Sequence, residues 1–202
     1  MNSDIQLKKL GLVTFVLNAS ALYAVLENDR ERLSPWFWWA GMTITPNFHK
    51  AALFMILYII DTKRKKAAHL LSEEKLYDEQ FLVFYNGAFS GMIGLDHINT
   101  YQKNAEIWGF IAKENEGKGV MSSALQILHA YAAVEKELTS LYAKIAAGNK
   151  RGENPLKING YNPVNVEYNV PTSTRNPTIT DVTIWKKILA RRHQTLPLSI
   201  FP

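Results

Sequence analysis

Residues 104–111, 116–119 and 120 to about 137 read in succession as a strand, a glycine-rich turn and an amphipathic helix, and no other stretch constrains the fold as much. The strand, Asn-Ala-Glu-Ile-Trp-Gly-Phe-Ile, carries Gly109 inside it, which predicts a bulge or the close approach of another backbone or a ligand. The helix shows its apolar stripe as Met121, Leu125, Leu128 and Ala132. Upstream, strands over 81–86 and 89–96 flank Asn86-Gly87, a strong hairpin signal. Downstream come a strand over about 140–147, a short helix over 149–159 ending in Gly160, and a closing strand over 182–189. The N-terminal third reads as a short strand over 12–17, then a helix capped by Asn18 or Ser20 that runs to about residue 28 and buries Leu22, Val25 and Leu26. A turn at Ser34-Pro35, the cluster Trp36-Phe37-Trp38-Trp39 and a helical stretch from 48 to about 71, broken near Asp61, complete it. Mixed strands with helices between them make the fold class α/β (α+β). Nothing in the 202 residues marks a repeat or linker, so 1–202 reads as one domain.

Composition narrows the classes. Hydrophobic residues at 47% and charged residues at 20% exclude disordered, collagen-like and coiled-coil chains. With no cysteine there is no disulfide, zinc–thiolate site or cysteine nucleophile, and no His/Asp/Glu spacing suggests another metal site. The longest apolar run, residues 51–60, is half of the ~20 residues a bilayer span needs, and the first residues lack the order of a secretory signal. The expectation is a cytoplasmic protein with no membrane partner. The net charge of +5 favours anionic partners such as nucleotides and phosphates, while no nucleic-acid-binding motif appears.

A strand followed by a glycine-rich turn and a helix offers free backbone N–H groups at the positive end of a helix dipole, suited to phosphate. Glu116-Gly117-Lys118-Gly119-Val120-Met121 is neither a Walker nor a Rossmann motif, and taken alone an ordinary connection fits it as well. Its neighbours add to it. Gly91-Met92-Ile93-Gly94-Leu95 and Ala105-Glu106-Ile107-Trp108-Gly109-Phe110 precede the turn; Asn149-Lys150-Arg151-Gly152 and then Gly160-Tyr161 follow it.

In this order the segments resemble the GNAT acyltransferase superfamily, in its RimJ/RimL-like branch of N-acetyltransferases. Members show Gly-x-Ile-Gly-Leu, Ala-Glu-Ile-Gly-Tyr-Trp, a Gln/Arg-x-x-Gly-x-Gly/Ala turn, and Asn-x-x-Ser with Gly-Phe eight residues on. Asn28-Asp29-Arg30-Glu31-Arg32-Leu33-Ser34-Pro35-Trp36 looks like the branch's Leu-x-x-Trp region, and the resemblance runs from about residue 12 to 189. The chain departs from the pattern at Glu116 (usually Gln or Arg), Met121 (usually small) and Gly152 (usually Ser).

The resemblance implies a GNAT fold: a mixed central sheet with a V-shaped splay between two strands, helices on both faces, and acetyl-CoA as co-substrate in the splay. It implies that the backbone of Phe110 and Ile111 pairs with the pantetheine amides, and that Gly117, Lys118, Gly119, Val120 and Met121 hold the pyrophosphate. Asn149 would hydrogen-bond the pantetheine, cap the helix after it, or do both. Glu106 would steer or deprotonate the amine through water; its plain alternative is a strand-edge carboxylate paired with a lysine. Trp36 and Trp39 would line the acceptor mouth, with core packing as the alternative. Glu116 is expected to turn away from the pyrophosphate, and Tyr161, Tyr142 or water to stand in for the missing serine as acid. His97 and His129 read as structural, Lys186, Lys187, Arg191, Arg192 and His193 as a solvated strand end.

Amine chemistry favours one acceptor class. An α-amine is about 15% neutral at pH 7 and a lysine-type amine about 0.04%, so an enzyme without a strong base suits α-amines. The expected acceptor is the α-amine of a protein, ribosomal proteins included, or of a peptide or small molecule. A homodimer is compatible with this reading. The rival is a non-catalytic acyl-CoA-binding or interaction module, favoured by Gly152 and opposed by Glu106, the Gly117 and Gly119 turn and Asn149. Residues 43–80 are left open as a lid, a dimer contact or a packing helix.

Overall fold

Strand β2 (Tyr77–Tyr85) buries Phe81 and Val83 in one core and Leu82 and Phe84 in another, so the sheet it belongs to needs cover on both faces. The computed structural model describes residues 4–34, 48–71, 76–171, 179–190 and 200–201. The hairpin partner β3 (Ala88–Asn99) alternates in the same way, Ile93 and Leu95 against Met92. Between β2 and β3, Asn86 and Gly87 take φ of 49° and 80°, the positive values a two-residue hairpin turn requires.

Among the described residues the sheet has eight strands in the order β6-β7-β5-β4-β3-β2-β1-β8, with β1 (Ile5–Lys9), β4 (Asn104–Ile111), β5 (Ser140–Ala146), β6 (Asn162–Pro171), β7 (Ile179–Ile188) and β8 (Ile200–Phe201). Neighbours are antiparallel except β4–β5 and β1–β8. Helices α1 (Leu12–Asn28), α2 (Arg30–Leu33) and α3 (Phe48–Leu71) contribute Phe15, Leu22, Leu33 and Ile59 to the core with Leu82 and Phe110. Helices α4 (Val120–Val134) and α5 (Lys150–Ile158) contribute Leu125, Leu128 and Leu156 to the core on the other face.

The strand expected over 12–17 is the first turn and a half of α1. Phe15, Ala19, Leu22, Val25 and Leu26 are buried at helical spacing, while Val13, Val16 and Leu17 of the same apolar run face solvent. Asn18 is not a cap; its Nδ2 donates to the Thr14 carbonyl at 2.8 Å, inside a helix that starts after Gly11. The first strand lies earlier, at β1, between β2 and β8. Helix α3 runs unbroken past Asp61, which pairs with Arg64 one turn on at 3.0 Å. Part of the 43–80 segment is thus a packing helix, with Met55 and Ile59 buried. Strand β6 was not expected, although Val164, Val166, Tyr168 and Val170 alternate with Asn165, Glu167 and Asn169 as a strand's residues do; nearly all its side chains are exposed. Trp36, Phe37, Trp38 and Trp39 lie outside the described residues.

One buried carboxylate ties the two faces together. Glu79 of β2 is 3% exposed and accepts from Lys9, Lys66 and Lys136 at 2.9, 2.8 and 2.8 Å and from the Tyr131 hydroxyl at 2.6 Å. Burial alone would raise its pKa, but the lysines and Tyr131 outweigh burial and hold it at about 2. A folded pKa below the unfolded value stabilises above the ordinary carboxylate range and is lost as pH falls. We expect acid to destabilise the fold progressively from about pH 4.5 to 2. Glu79→Gln, which strands three ammonium groups, should cost about 3 kcal/mol in urea unfolding at neutral pH; unchanged stability would contradict the role given to Glu79.

Candidate functional site

Parallel strands β4 and β5 pair only at Asn104–Ser140, Ala105–Leu141 and Glu106–Tyr142. Beyond that point β4 stays on β3 as far as Ile111, and β5 stays on β7 as far as Ala146. The two strands part, and the sheet opens into the expected V. The Ala112 N–H donates to the Ser90 carbonyl at 2.7 Å, which sets the phase of the antiparallel β3–β4 ladder. Alternate residues of β4 therefore turn their peptide groups to β3, and Gly109 and Ile111 turn theirs into the gap. Of the expected pair, Ile111 has its backbone edge in the gap and Phe110 does not: its peptide faces β3, and its side chain is buried beside α1 and α3. The second gap-facing peptide is that of Gly109.

Gly109 makes no bulge, since the one β3–β4 irregularity lies between Asp96 and Asn99. A Cβ there would come within 2.9 Å of the Met92 carbonyl and 3.2 Å of the Met121 methyl, so a close approach is what it serves. Where the family pattern reads Gly-Tyr, this chain reads Trp108-Gly109, and a one-residue step in a strand exchanges faces. The large ring thus lies on the α1/α3 side of the sheet.

At the end of β4 a 3-10 turn (Lys113–Asn115) leads through Glu116 to Gly117 and Gly119, with φ of 74° and 77°. Gly119 is the residue before α4, and the first N–H bonded within that helix is that of Ser123, to the Gly119 carbonyl at 3.0 Å. Among the described residues, the N–H groups of residues 117–122 find no protein acceptor. A Cβ on Gly117 or Gly119 would meet nothing within 4 Å, so open space lies before this row of donors. The Lys118 ammonium bonds the Asn115 side chain at 3.1 Å beside the same turn.

Arg32 of α2 joins the turn to the strand end. Its guanidinium donates to Asp29 Oδ2 at 2.6 Å, to the Ile111 carbonyl at 2.8 Å and to Glu116 Oε1 at 2.7 Å. Its Nε is buried without an acceptor among the described residues. Asp29, 4% exposed, also accepts the Lys113 N–H at 2.9 Å. The Glu116 carboxylate is thus folded onto arginines, with Arg151 of α5 a further 3.6 Å away. Neither Arg32 nor Asp29 stood out in the sequence; the only signal was their place in the segment before Trp36.

On the other arm, Asn149 caps α5, its Oδ1 accepting from the Gly152 N–H at 3.2 Å. A Cβ at Gly152 would lie 3.1 Å from both Asn149 Nδ2 and the Ile145 side chain, so this arm is packed around glycine. Tyr161 is 3% exposed and bonds His129 Nε2 at 2.9 Å. Burial drives the His129 pKa down to about 3 and the Tyr161 pKa up, so the pair stays neutral and structural. Lys187 is no solvated tail: its ammonium donates to the Asn159 carbonyl at 2.6 Å.

Glu106 closes the paired part of the fork, with 31% of its side chain exposed. Burial raises its pKa, with Lys144 and His97 opposing the rise. The Lys144 ammonium pairs with Glu167 at 3.4 Å, and among the described residues the basic group within 4 Å of Glu106 is His97, its Nδ1 at 3.9 Å. His97 is 65% exposed and sits at the β3 irregularity with φ 54°. Tyr142 lies opposite Glu106 in the ladder, and the Lys186 ammonium beside it holds its hydroxyl below the usual range. Among the described residues no group of three or more His, Asp or Glu side chains is placed to hold a metal ion, and no helix is long and apolar enough to cross a membrane.

A parted pair of strands, a donor row at one arm and a carboxylate at the fork are a setting for binding a phosphate-bearing thioester beside an amine. Residues 10–162 match the family described as the acetyltransferase (GNAT) domain. The chain is 30% identical over 134 residues to the putative ribosomal N-acetyltransferase YdaF of Bacillus subtilis, covering 66% of this chain and 67% of that one. It is 26% identical over 101 residues to the ribosomal-protein-serine acetyltransferase of Escherichia coli, 50% of this chain and 56% of that one. The fold superposes with a TM-score of 0.72, at 16% identity and over 92% of this chain and 94% of the other, on RimL, a ribosomal L7/L12 alpha-N-protein acetyltransferase in complex with coenzyme A. The chain therefore belongs to the GNAT acetyltransferase family, in its RimJ/RimL-like branch, and is an acetyl-CoA-dependent N-acetyltransferase.

Proposed function

We propose that the acceptor is the α-amino group of a protein or peptide, and that its amine attacks the acetyl thioester directly in the fork between β4 and β5. The observation that carries the site is the fork itself: two gap-facing peptides, Gly109 and Ile111, beside an open row of N–H donors. These features fit acetyl-CoA. When bound, it supplies an activated acetyl group. Residues 117–122 hold its pyrophosphate through backbone N–H groups, and Gly109 and Ile111 align the pantetheine as a strand would be aligned. A peptide N–H of the gap faces the thioester oxygen and stabilises the charge that develops there. Asn149, already the cap of α5, offers its Nδ2 from the opposite arm. Arg32 offsets the Glu116 charge, so a carboxylate is tolerated beside the phosphates.

Glu106 receives the amine's proton, directly or through one water, as the new C–N bond forms and the C–S bond breaks. Tyr142 donates to the departing sulfur, a role Gly152 has no atom to fill. Two relatives are named for ribosomal proteins, and the modest basicity of a carboxylate suits an amine that is partly neutral at pH 7. Trp36 and Trp39 remain candidates for the acceptor mouth.

Substrate class is tested with two peptides, one with a free N-terminus and no lysine, one N-terminally blocked with a single lysine. Thiol release is expected with the first alone; release with the second alone would contradict the α-amine reading. Gly119→Val should weaken coenzyme A binding by calorimetry at least about tenfold, because it strains a φ of 77° and fills the space before the donors. Glu106→Gln should lower kcat about a hundredfold while leaving coenzyme A affinity intact. For Tyr142→Phe we expect a lower kcat at an unchanged KM for the amine; an unaltered kcat would assign the proton to water.

A further inference from the structure

Glu106 does not stand alone. In the β3–β4 register Asp96 lies directly opposite it, and both side chains face the α1/α3 side of the sheet. Asp96 Oδ1 accepts from the Trp108 indole N–H at 2.8 Å. That indole lies across Gly94, where an added Cβ would be 2.5 Å from its Nε1. Gly94, Trp108 and Asp96 thus form one packed unit: the glycine leaves the space, the indole fills it, and its N–H fixes the carboxylate. The position of the large ring at 108 rather than 109 is what makes this unit.

Resting on the reading of Glu106 as proton acceptor, we propose that Asp96 is a positioning residue for amine attack, held by Trp108 so that its carboxylate faces Glu106 and makes Glu106 a stronger base. Two carboxylates opposite each other in a strand pair cannot ionise independently; the charge of one raises the proton affinity of the other. Burial first, then Asp78, raise the Asp96 pKa to about 7, with Glu106 adding to the rise and the Trp108 N–H and His97 opposing it. From α3, the Tyr58 phenol faces the same charges, and burial and Asp96 raise its pKa so that it stays neutral. Asp78 of β2 is itself engaged, accepting the His97 N–H at 3.0 Å. The second charge on the pair therefore appears near neutral pH, where α-amines begin to lose their protons.

The sign follows. Above about pH 7 an ionised Asp96 strengthens Glu106 as a base; below it, a protonated Asp96 does not. The test is kcat/KM for one peptide amine from about pH 6 to 9, in wild type and Asp96→Asn, since the amine's own titration is common to both. The expected result is a D96N/wild-type ratio near one at the acid end that falls about tenfold at the alkaline end, the factor carried by one pK unit. Acetyl-CoA affinity by calorimetry should be unchanged, which also reports that the variant is folded. Trp108→Phe, which keeps a ring over Gly94 but removes the N–H, should move the rise of the profile to higher pH. A D96N/wild-type ratio that is constant across pH, or a W108F profile that does not move, overturns the proposal. If wild type binds acetyl-CoA but releases no thiol with any amine, it is the proposed function that fails instead.

Discussion

A parallel strand pair that separates after three residues leaves peptide groups facing a gap with no ladder to satisfy them. That is the constraint on which the rest of this molecule depends. β4 cannot follow β5, because its other edge is committed to β3 up to Ile111, and β5 is committed in the same way to β7. The sheet is one object up to Glu106 and Tyr142 and two beyond them. Any group that enters must run like a strand and meet Gly109 and Ile111 on one side. A pantetheine arm with its amides has that character, and the donor row at residues 117–122 is the seat proposed for its phosphates.

Buried charge holds the two halves in this arrangement. Glu79 gathers lysines from β1, α3 and the end of α4, so both layers of helices are tied to β2. Asp29, Arg32 and Glu116 do the same nearer the gap, joining α2, the last carbonyl of β4 and the glycine turn before α4. Each network pairs every carboxylate with cations at hydrogen-bond distance, the condition under which buried charge is tolerated. At the fork, burial raises the proton affinity of Asp96 and Glu106 instead, which suits the proton transfer proposed for Glu106.

Much of the fold was legible because its signals are local. Asn86-Gly87 announced its hairpin, β4 was read at its full extent, and the glycines of the 116–119 turn marked the start of α4. Long-range pairing was not legible. Val13, Val16 and Leu17 read as strand because they are branched or apolar, yet they are the solvent face of a helix whose buried stripe starts at Phe15. β6 does alternate, with Val164, Val166, Tyr168 and Val170, but that signal passed unread among its prolines and asparagines, and the pairing with β7 is long-range in kind. At the candidate site, the motif order singled out the turn, Asn149 and Glu106, which lie around the parted strands, but which of Phe110 and Ile111 faces the gap depends on ladder phase, set by a single bond between Ala112 and Ser90. Arg32 and Asp96 act through partners 79 and 10 residues away in sequence, Ile111 and Glu106, and no local pattern records such pairs.

Ladder phase also offers the most direct test of the central claim. Amide hydrogen exchange, resolved by residue, would be measured with and without saturating coenzyme A. The account predicts that the amides of Gly109, Ile111 and residues 117–122 slow markedly on binding, while that of Phe110, already turned to β3, changes little. Coenzyme A that binds without protecting Gly109 and Ile111, or that protects Phe110 in their place, would contradict the fork as the cofactor's seat.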